Sequence, residues 1–373
     1  MLKKALLAVC AVTFVASCSE PVKEVTKPKK VDLKEVTVGE WITDSQGSVM
    51  FNPQTSGLID IDGQLVTISD GSADSSLQLK LHYINPADAT FTTSSDAFSF
   101  SSSVRRSCFY SYLSEKPDLE ALATDPRDPS IVYTVTEDAT RTGALSASCE
   151  AKYAETGSTD YPTLLVKLTI KGEGKIEMSD VRPLQFPTEF EVGNFPNDGI
   201  EGLTMDDNGL LYLGLEKDKA GQPRIFTLNI DDDFWGTNDF ATVSAPSLDV
   251  PTFTAGNHPI NGLALHKTGK GDSFLIAAAR NDNELWIIDT AGNKQTKRIP
   301  VTFKVNGGET CGEYLMDNAS MEGLVVMGST LWLINDPWVK NYMKNAICDA
   351  DKSRYEDMAP LIFPVEMKEN WFE

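Results

Sequence analysis

The hydrophobic residues of this chain fall into short runs separated by turns, and no stretch sustains a helical period of 3.6 residues. Five of these runs begin with one short phrase, in which a polar residue is followed by Gly-Leu or Ala-Leu. The copies recur at intervals of about 60 to 80 residues, and they start at Ser56, Glu120, Glu201, Asn261 and Glu322. A phrase that returns at such spacing predicts a repeat fold in which every copy takes the same structural place.

Each phrase is followed by a turn and then by a second run with the composition of a β-strand. These second runs cover residues 64–69, 131–136, 210–215, 273–278 and 330–335. The turns between the two runs, such as 60–63 and 206–209, contain the Asp, Asn and Gly residues that hairpins prefer. Third strands are predicted at 77–84, 163–170, 224–230 and 284–289, and fourth strands, such as 296–304, are fainter.

Four short strands in a unit of about 60 residues are typical of a β-propeller blade. Repetition around a ring buries the faces of each blade against its neighbours and leaves few open strand edges. The sequence therefore predicts an all-β fold over residues 37–373, a five-bladed β-propeller of four-stranded antiparallel blades. Five blades require that residues 35–45 supply a missing strand to the blade that begins at Glu322. A six-bladed ring with one degenerate blade is the alternative.

The N-terminal residues predict an export signal. Residues 2–17 contain two lysines, an apolar run that is shorter than the roughly 20 residues of a membrane span, and small residues before Cys18. Residues 15–18 resemble the lipobox of bacterial lipoproteins, in which the signal peptide, here 1–17, is removed and the cysteine is lipidated. Ordinary cleavage that leaves Cys18 free is the alternative. Ser19 favours the outer membrane, facing the periplasm or the surface, and residues 18–36 are predicted to be a flexible tether.

The charge balance limits the kinds of partner. The chain has 33 Lys and Arg against 54 Asp and Glu, a formal net charge of −21. Such an acidic protein offers no basic groove for nucleic acid, which we exclude as a partner. The expected partners are the membrane, through the lipid anchor, and an unidentified protein, glycan or small anionic ligand. We expect a monomer.

The cysteines predict two disulfides. Apart from Cys10 in the signal peptide and Cys18, the chain contains Cys108, Cys149, Cys311 and Cys348. An even number in an oxidising cell envelope favours disulfide bonds. Of the three possible pairings we favour 108 with 149 and 311 with 348, because each closes a loop within one repeat. A metal site is the alternative, although no C-x-x-C motif occurs and the histidines are scattered.

The first residues of the phrases are candidate metal ligands. The first strand of every propeller blade lines the central channel, so these residues should converge there. The set that carries ligand atoms is Glu120, Glu201, Asn261 and Glu322. Three carboxylates in a narrow channel repel one another unless a cation lies between them. Ligands that offer only oxygen suit calcium, whereas zinc or copper would favour His and Cys. A hydrogen-bond network without metal is the alternative.

A second tier of polar residues follows the second strands. It comprises Asp70, Glu137, Glu216, Arg280 and Asp336. Arg280 either neutralises the acidic ring together with Lys217 or, with a bound cation, holds an anionic substrate such as a phosphate or carboxylate. His258, close to Asn261, is a candidate general base or a surface hydrogen-bonding group. We therefore name Glu137, Glu216, Arg280, Asp336 and His258 as candidate substrate-binding residues.

Residues 201–218, EGLTMDDNGLLYLGLEKD, and the similar residues 322–336 resemble the motif of the SdiA-regulated and phytase-like (esterase-like) propeller families. The resemblance covers roughly residues 50 to 340. It implies a propeller, often with calcium in or near the central channel, and substrates that are mostly unassigned. Ser56 and Asn261 depart from the glutamate of the motif, so the blades cannot all contribute the same ligand.

Two functions are compatible with these features. The first is a lipid-anchored, calcium-binding propeller that acts as a binding module of the cell envelope. The second is a calcium-dependent hydrolase of phosphoester, ester or lactone substrates, in which Glu201 or Glu322 would activate water. The chain has no G-x-S-x-G motif and no P-loop, so no catalytic residue is assigned.

Overall fold

The computed structural model describes residues 33–137, 146–153, 163–172, 174–190, 192 and 199–373. Residues 33–373 belong to one compact unit. The predicted signal peptide, Cys18 and most of the predicted tether lie outside the described residues. No helix in the described part of the chain has the length and apolar character that a membrane span requires.

The chain forms successive antiparallel sheets, one for each copy of the phrase. The first contains β2 (Thr55–Ile61), β3 (Gln64–Ser69), β4 (Leu81–Asn85) and β5 (Thr90–Ser94). The second contains β7 (Leu119–Asp125), β8 (Asp128–Thr136), β9 (Leu164–Gly172) and β10 (Lys175–Gln185), with the short strands β6 (Ser99–Phe100) and β14 (Ala241–Thr242) parallel to β10. The third contains β11 (Ile200–Met205), β12 (Leu210–Leu215) and β13 (Arg224–Asn229).

The last two groups of strands are joined by the N-terminal strand. The fourth group contains β15 (Ile260–Lys267), β16 (Ser273–Ala279), β17 (Glu284–Asp289) and β18 (Lys297–Asn306), with β19 (Glu313–Leu315) beside β18. The fifth contains β20 (Met321–Met327), β21 (Thr330–Asn335), β22 (Leu361–Glu366) and β1 (Glu35–Trp41). β1 is antiparallel to β22 and parallel to β18. This pairing confirms that the N-terminal segment completes the sheet that begins with the last phrase.

The five first strands form a closed ring. β2 contacts β7, and contacts continue from β7 to β11, to β15, to β20 and back to β2. Five hydrophobic clusters fill the spaces between successive sheets, and the last of them joins Ile334 and Ile362 to Leu58 and Leu65 of the first sheet. This arrangement is the all-β propeller that the repeat predicts. The count of five blades stays our prediction, and the closed ring of first strands supports it.

The glycine and leucine of the phrase have separate roles on the axis. A Cβ atom on Gly323 would lie 2.6 Å from the backbone carbon of Gly57, so glycine lets neighbouring first strands approach closely. The leucines, each only 2–3% exposed, line one small cavity on the axis; they are Leu58, Leu122, Leu203, Leu263 and Leu324. The register between first and second strands also shifts at each phrase. Each copy of the phrase thus places its small residue and its leucine against the same crowded axis.

Short helices and two disulfides occupy the connections. The helices are α1 (Ser102–Arg106), α2 (Tyr110–Glu115), α3 (Ala147–Tyr153), α4 (Gly308–Cys311), α5 (Val339–Tyr342) and α6 (Lys352–Glu356). The disulfides join Cys108 to Cys149 and Cys311 to Cys348, which confirms the favoured pairing. The second disulfide fastens the 337–358 segment, which contains α5 and α6.

A candidate metal centre at one end of the channel

The first residue of each phrase is the second residue of its first strand. Ser56, Glu120, Glu201, Asn261 and Glu322 all occupy this position, in β2, β7, β11, β15 and β20. Their exposed fractions lie between 0 and 7%. Because the strands surround one axis, equivalent positions converge at one end of the channel, and the leucines two positions further along each strand line the axis behind them.

The three predicted glutamates of this tier meet. One carboxylate oxygen from each of Glu120, Glu201 and Glu322 lies within 4.8 Å of the other two. These groups come from the second, third and fifth sheets, so only closure of the ring brings them together. This triad is called the axial triad below.

The second tier follows directly after the second strands, as predicted. Its residues are Asp70, Glu137, Glu216, Arg280 and Asp336. Glu137 and Glu216 join Glu201 in a further group whose ligand oxygens lie within 4.8 Å of one another. The two tiers therefore form one continuous acidic site around the axis.

Asp118 belongs to this site although the sequence argument missed it. Its carboxylate groups with those of Asp70 and Glu120, again within 4.8 Å. Asp118 precedes β7, two residues before Glu120, and its Oδ1 accepts a hydrogen bond of 2.8 Å from the Gly71 amide. The only sequence signal is this proximity to Glu120, since the contact with Gly71 comes from another sheet.

Two residues of the fourth sheet are donors where other sheets carry acids. Asn261 Nδ2 and Arg280 Nη2 each donate to Glu216 Oε1 over 2.8 Å. Arg280 also donates from Nη1 to Glu322 Oε1. Burial by itself would lower the pKa of Arg280, but Glu322 and Glu216 raise it overall, so the guanidinium stays charged.

The carboxylates of the site resist ionisation. Burial, and secondly the charge of neighbouring carboxylates, raises the pKa of Glu120 and of Glu201 well above the ordinary value. Burial raises the pKa of Glu322 to about 7, against the opposing effect of Arg280. Burial and then the nearby Glu322 also raise the pKa of Asp336. Protons or a cation are therefore needed to hold these groups together.

Several buried oxygen atoms at the site have no hydrogen-bond partner among the described residues. They are Glu120 Oε2, Asn261 Oδ1 and Asp336 Oδ1. A buried polar atom without a partner costs about 1–3 kcal/mol, so an ordered water or an ion is expected to contact such atoms. Carboxylate and amide oxygens are the donors that calcium prefers, and no described histidine or cysteine belongs to the three acidic groups. The residues present could thus hold a metal ion.

His258 is held away from the carboxylates of the two tiers. Its Nδ1 lies 2.9 Å from both carboxylate oxygens of Asp282, and its Nε2 lies 3.0 Å from the Ala255 carbonyl oxygen. Its ring stacks on Phe253 at 3.7 Å. Among the described residues, these contacts give His258 a role in fastening its loop to the turn that begins with Arg280, and the structure does not bring it to the acidic site.

The fold and the acidic end of the channel define a β-propeller with a carboxylate-rich centre. No protein-family model matches this chain, and no curated protein matches it. Among solved structures it is similar to an exo-β-1,3-galactanase from Clostridium thermocellum, with 12% identity, a TM-score of 0.49, and alignment over 90% of this chain and 63% of that chain.

Two further solved structures are similar over most of their length. The PQQ-bound aldose sugar dehydrogenase from Streptomyces coelicolor has 11% identity and a TM-score of 0.40, covering 88% of this chain and 98% of that one. A catalytically inactive virginiamycin B lyase from Staphylococcus aureus has 12% identity and a TM-score of 0.35, covering 79% and 81%. Values this low say nothing about the activity of this chain, and the strand pairing alone defines the fold.

Proposed function

We propose that this protein is a calcium-binding β-propeller that acts as a binding module of the bacterial cell envelope. The observation that carries the proposal is the axial triad, in which three buried carboxylates lie within 4.8 Å of one another. Glu120, Glu201 and Glu322 would hold the ion, and Asn261 Oδ1, buried and without a partner, would add a fourth oxygen. When bound, calcium supplies the positive charge that lets these carboxylates ionise together.

The surrounding residues orient the ligands. Asn261 Nδ2 and Arg280 fix Glu216, and Arg280 also fixes Glu322, so two carboxylates are positioned before any ion binds. The leucines lie on the axis directly behind the triad. A site that is held in place in this way loses little conformational entropy on binding.

A binding module is favoured over an enzyme by the state of Arg280. The Arg280 guanidinium already donates to Glu216 and Glu322, which leaves it poorly placed to hold a substrate anion.

Calcium titration of the full chain tests the metal site. Isothermal titration calorimetry should show calcium binding that Glu201→Gln weakens about tenfold or more, because one charged ligand is lost. The control is Glu309→Gln, since Glu309 is exposed and lies outside the acidic groups. Absence of calcium binding to the wild-type chain would refute the metal site. A calcium-dependent pull-down from envelope extract that recovers no protein or glycan would refute the binding module.

A calcium-dependent hydrolase is the second candidate. The observation in its favour is that Glu201 and Glu322, either of which could activate water, lie within 4.8 Å of each other at the candidate metal site. A panel of phosphoesters, aryl esters and lactones, assayed with and without calcium, tests it. Turnover that calcium restores after chelation and that Glu201→Gln abolishes would establish the hydrolase, and no turnover on any substrate would exclude it.

The envelope location and the family are also proposals. The residues before Cys18 support a lipid anchor at that cysteine, on the outer membrane, and the 201–218 motif supports membership of the SdiA-regulated or phytase-like group. Cys18→Ala should release the protein from membranes into the soluble fraction. Membrane association that persists in Cys18→Ala would contradict the anchor.

A further inference from the structure

A second group of ligand atoms lies beside the axial triad and shares one member with it. Carboxylate oxygens of Asp70, Asp118 and Glu120 lie within 4.8 Å of one another. Glu120 is buried, whereas Asp70 and Asp118 are half-buried. This group, called the lateral triad, is thus closer to solvent than the axial triad.

One oxygen of each aspartate is fixed by a single loop. Asp70 Oδ1 accepts hydrogen bonds from the Ser72 amide at 2.5 Å, the Ser72 hydroxyl at 2.8 Å and the Ala73 amide at 3.1 Å. Asp118 Oδ1 accepts from the Gly71 amide at 2.8 Å. Both carboxylates are therefore held in fixed orientations beside Glu120 before any ligand arrives.

The member that the two triads share carries an unsatisfied atom. Glu120 is only 5% exposed, and its Oε2 is fully buried and has no hydrogen-bond partner among the described residues. A buried carboxylate oxygen in this state is costly unless a cation contacts it. Since Glu120 belongs to both groups, its two oxygens are able to bridge two ions.

The excess of acidic groups at the site also favours a second cation. The acidic residues that the three ligand groups and the second tier bring together are Asp70, Asp118, Glu120, Glu137, Glu201, Glu216, Glu322 and Asp336. Arg280 is the basic group that donates to two of them. One calcium ion and one arginine supply three positive charges, far fewer than the eight carboxylates could carry. A second divalent ion reduces the excess.

We propose that the lateral triad of Asp70, Asp118 and Glu120 binds a second divalent cation, calcium by the chemistry of its ligands, and that Glu120 bridges it to the axial ion. The inference rests on the proposed function only through Glu120. Because its aspartates are half-buried, the lateral ion keeps some water ligands, exchanges faster and binds more weakly than the axial ion.

Metal stoichiometry of the full chain tests the proposal. Equilibrium dialysis against calcium with elemental analysis should give two ions for the wild type. It should give one ion for Asp118→Asn, which keeps Oδ1 as acceptor for Gly71 but loses the charge, and one for Glu322→Gln. Asp232→Asn, an exposed acid outside the three groups, should keep two ions. Circular dichroism establishes that each variant is folded.

The outcomes separate the two proposals. One ion in both the wild type and Asp118→Asn would overturn the lateral site and leave the axial site standing. Two ions in Asp118→Asn would also overturn it. No ion in the folded wild type would refute the proposed function itself. Calorimetry should support the proposal with two binding phases, of which Asp118→Asn removes the weaker.

Discussion

Asn261 Nδ2 donates a hydrogen bond of 2.8 Å to Glu216 Oε1, and so joins the first strand of the fourth sheet to the end of the second strand of the third sheet. Arg280 donates to the same oxygen. At both tiers, therefore, the fourth sheet supplies a donor where most other sheets supply an acid. The asparagine that breaks the repeat thus belongs to the site, because a glutamate there would place a further charge against Glu216.

Replacing this donor by an acid should destabilise the protein when no metal is present. Asn261→Asp loses the hydrogen bond to Glu216 and adds a like charge, so the free energy of unfolding in EDTA should fall by about 1–3 kcal/mol. Saturating calcium should reduce this loss, since the new carboxylate faces the ion. Urea unfolding measures both values, with the exposed Asn293→Asp as control. An equal loss with and without calcium would contradict the placement of Asn261 at the ion.

Removing the positive charge of the site should lower the free energy of unfolding more than Asn261→Asp does. Arg280→Met leaves Glu216 and Glu322 without their ionic partner, and loss of one member of a buried ion pair costs about 3–5 kcal/mol. Arg106→Met is the matched control because Arg106 is exposed. Thermal and urea unfolding compare the two variants. If Arg280→Met is no less stable than Arg106→Met in EDTA, Arg280 does not serve as the counter-charge.

The acidic site should make the metal-free protein less stable as pH rises. In the folded state the pKa of Glu322 is about 7, above its ordinary value of 4.5. The unfolded chain therefore releases its proton first, and the stabilising contribution of protonated Glu322 disappears as pH rises from about 4.5 through 7. In EDTA, the free energy of unfolding of the wild type should therefore fall relative to that of Glu322→Gln as pH rises.

The prediction is made for the difference between wild type and Glu322→Gln because His82 changes the stability in the opposite direction as pH varies. Burial lowers the pKa of His82 to about 4 from an ordinary value of 6.5, so His82 reduces stability as pH falls between these values. His82 is unchanged in both proteins and cancels in the difference. A difference that does not vary between pH 5 and pH 8 would show that Glu322 ionises normally.

The close approach of neighbouring first strands should make Gly323 intolerant of a larger side chain. A Cβ on Gly323 would lie 2.6 Å from both the Gly57 backbone carbon and the side chain of Ile334. Gly323→Ala should therefore destabilise the fold by about 1–3 kcal/mol, the usual cost of overpacking. Gly269→Ala has open space around the new methyl group and is the control. Equal melting temperatures for the two variants would contradict a crowded axis.

The sequence predicts the fold and the axial triad for the same reason. Equivalent positions of a repeat occupy equivalent places, so Glu120, Glu201 and Glu322 could be brought together without knowledge of any single contact. Strand boundaries outside the phrase are less regular, as shown by the third strand of the first sheet, predicted at 77–84 and observed at Leu81–Asn85. The domain boundary at 37 likewise falls inside β1, whose pattern is too short to define its start.

The contacts that the sequence could not reveal all depend on unrelated segments. Asp118 joins the site through Gly71, which lies in a loop of another sheet, and no repeat relates the two residues. Arg280 could be recognised as an exception to an acidic tier, but its choice of Glu216 and Glu322 as partners depends on the packing of three sheets. His258 suggested a base through its residue type and its place close to Asn261 in the sequence, and its contact with Asp282 is visible only in three dimensions.

The pairing of Glu40 with Ile362 and of Trp41 with Leu361 also affects how the molecule is made. β1 precedes all the other described strands in translation, and β22 follows them all. Until β22 is made, the edge of β21 that it covers remains open to unwanted pairing with other chains. A chain whose synthesis stops before Leu361 therefore exposes the edge of β21 and leaves Glu40 and Trp41 without their partners in β22.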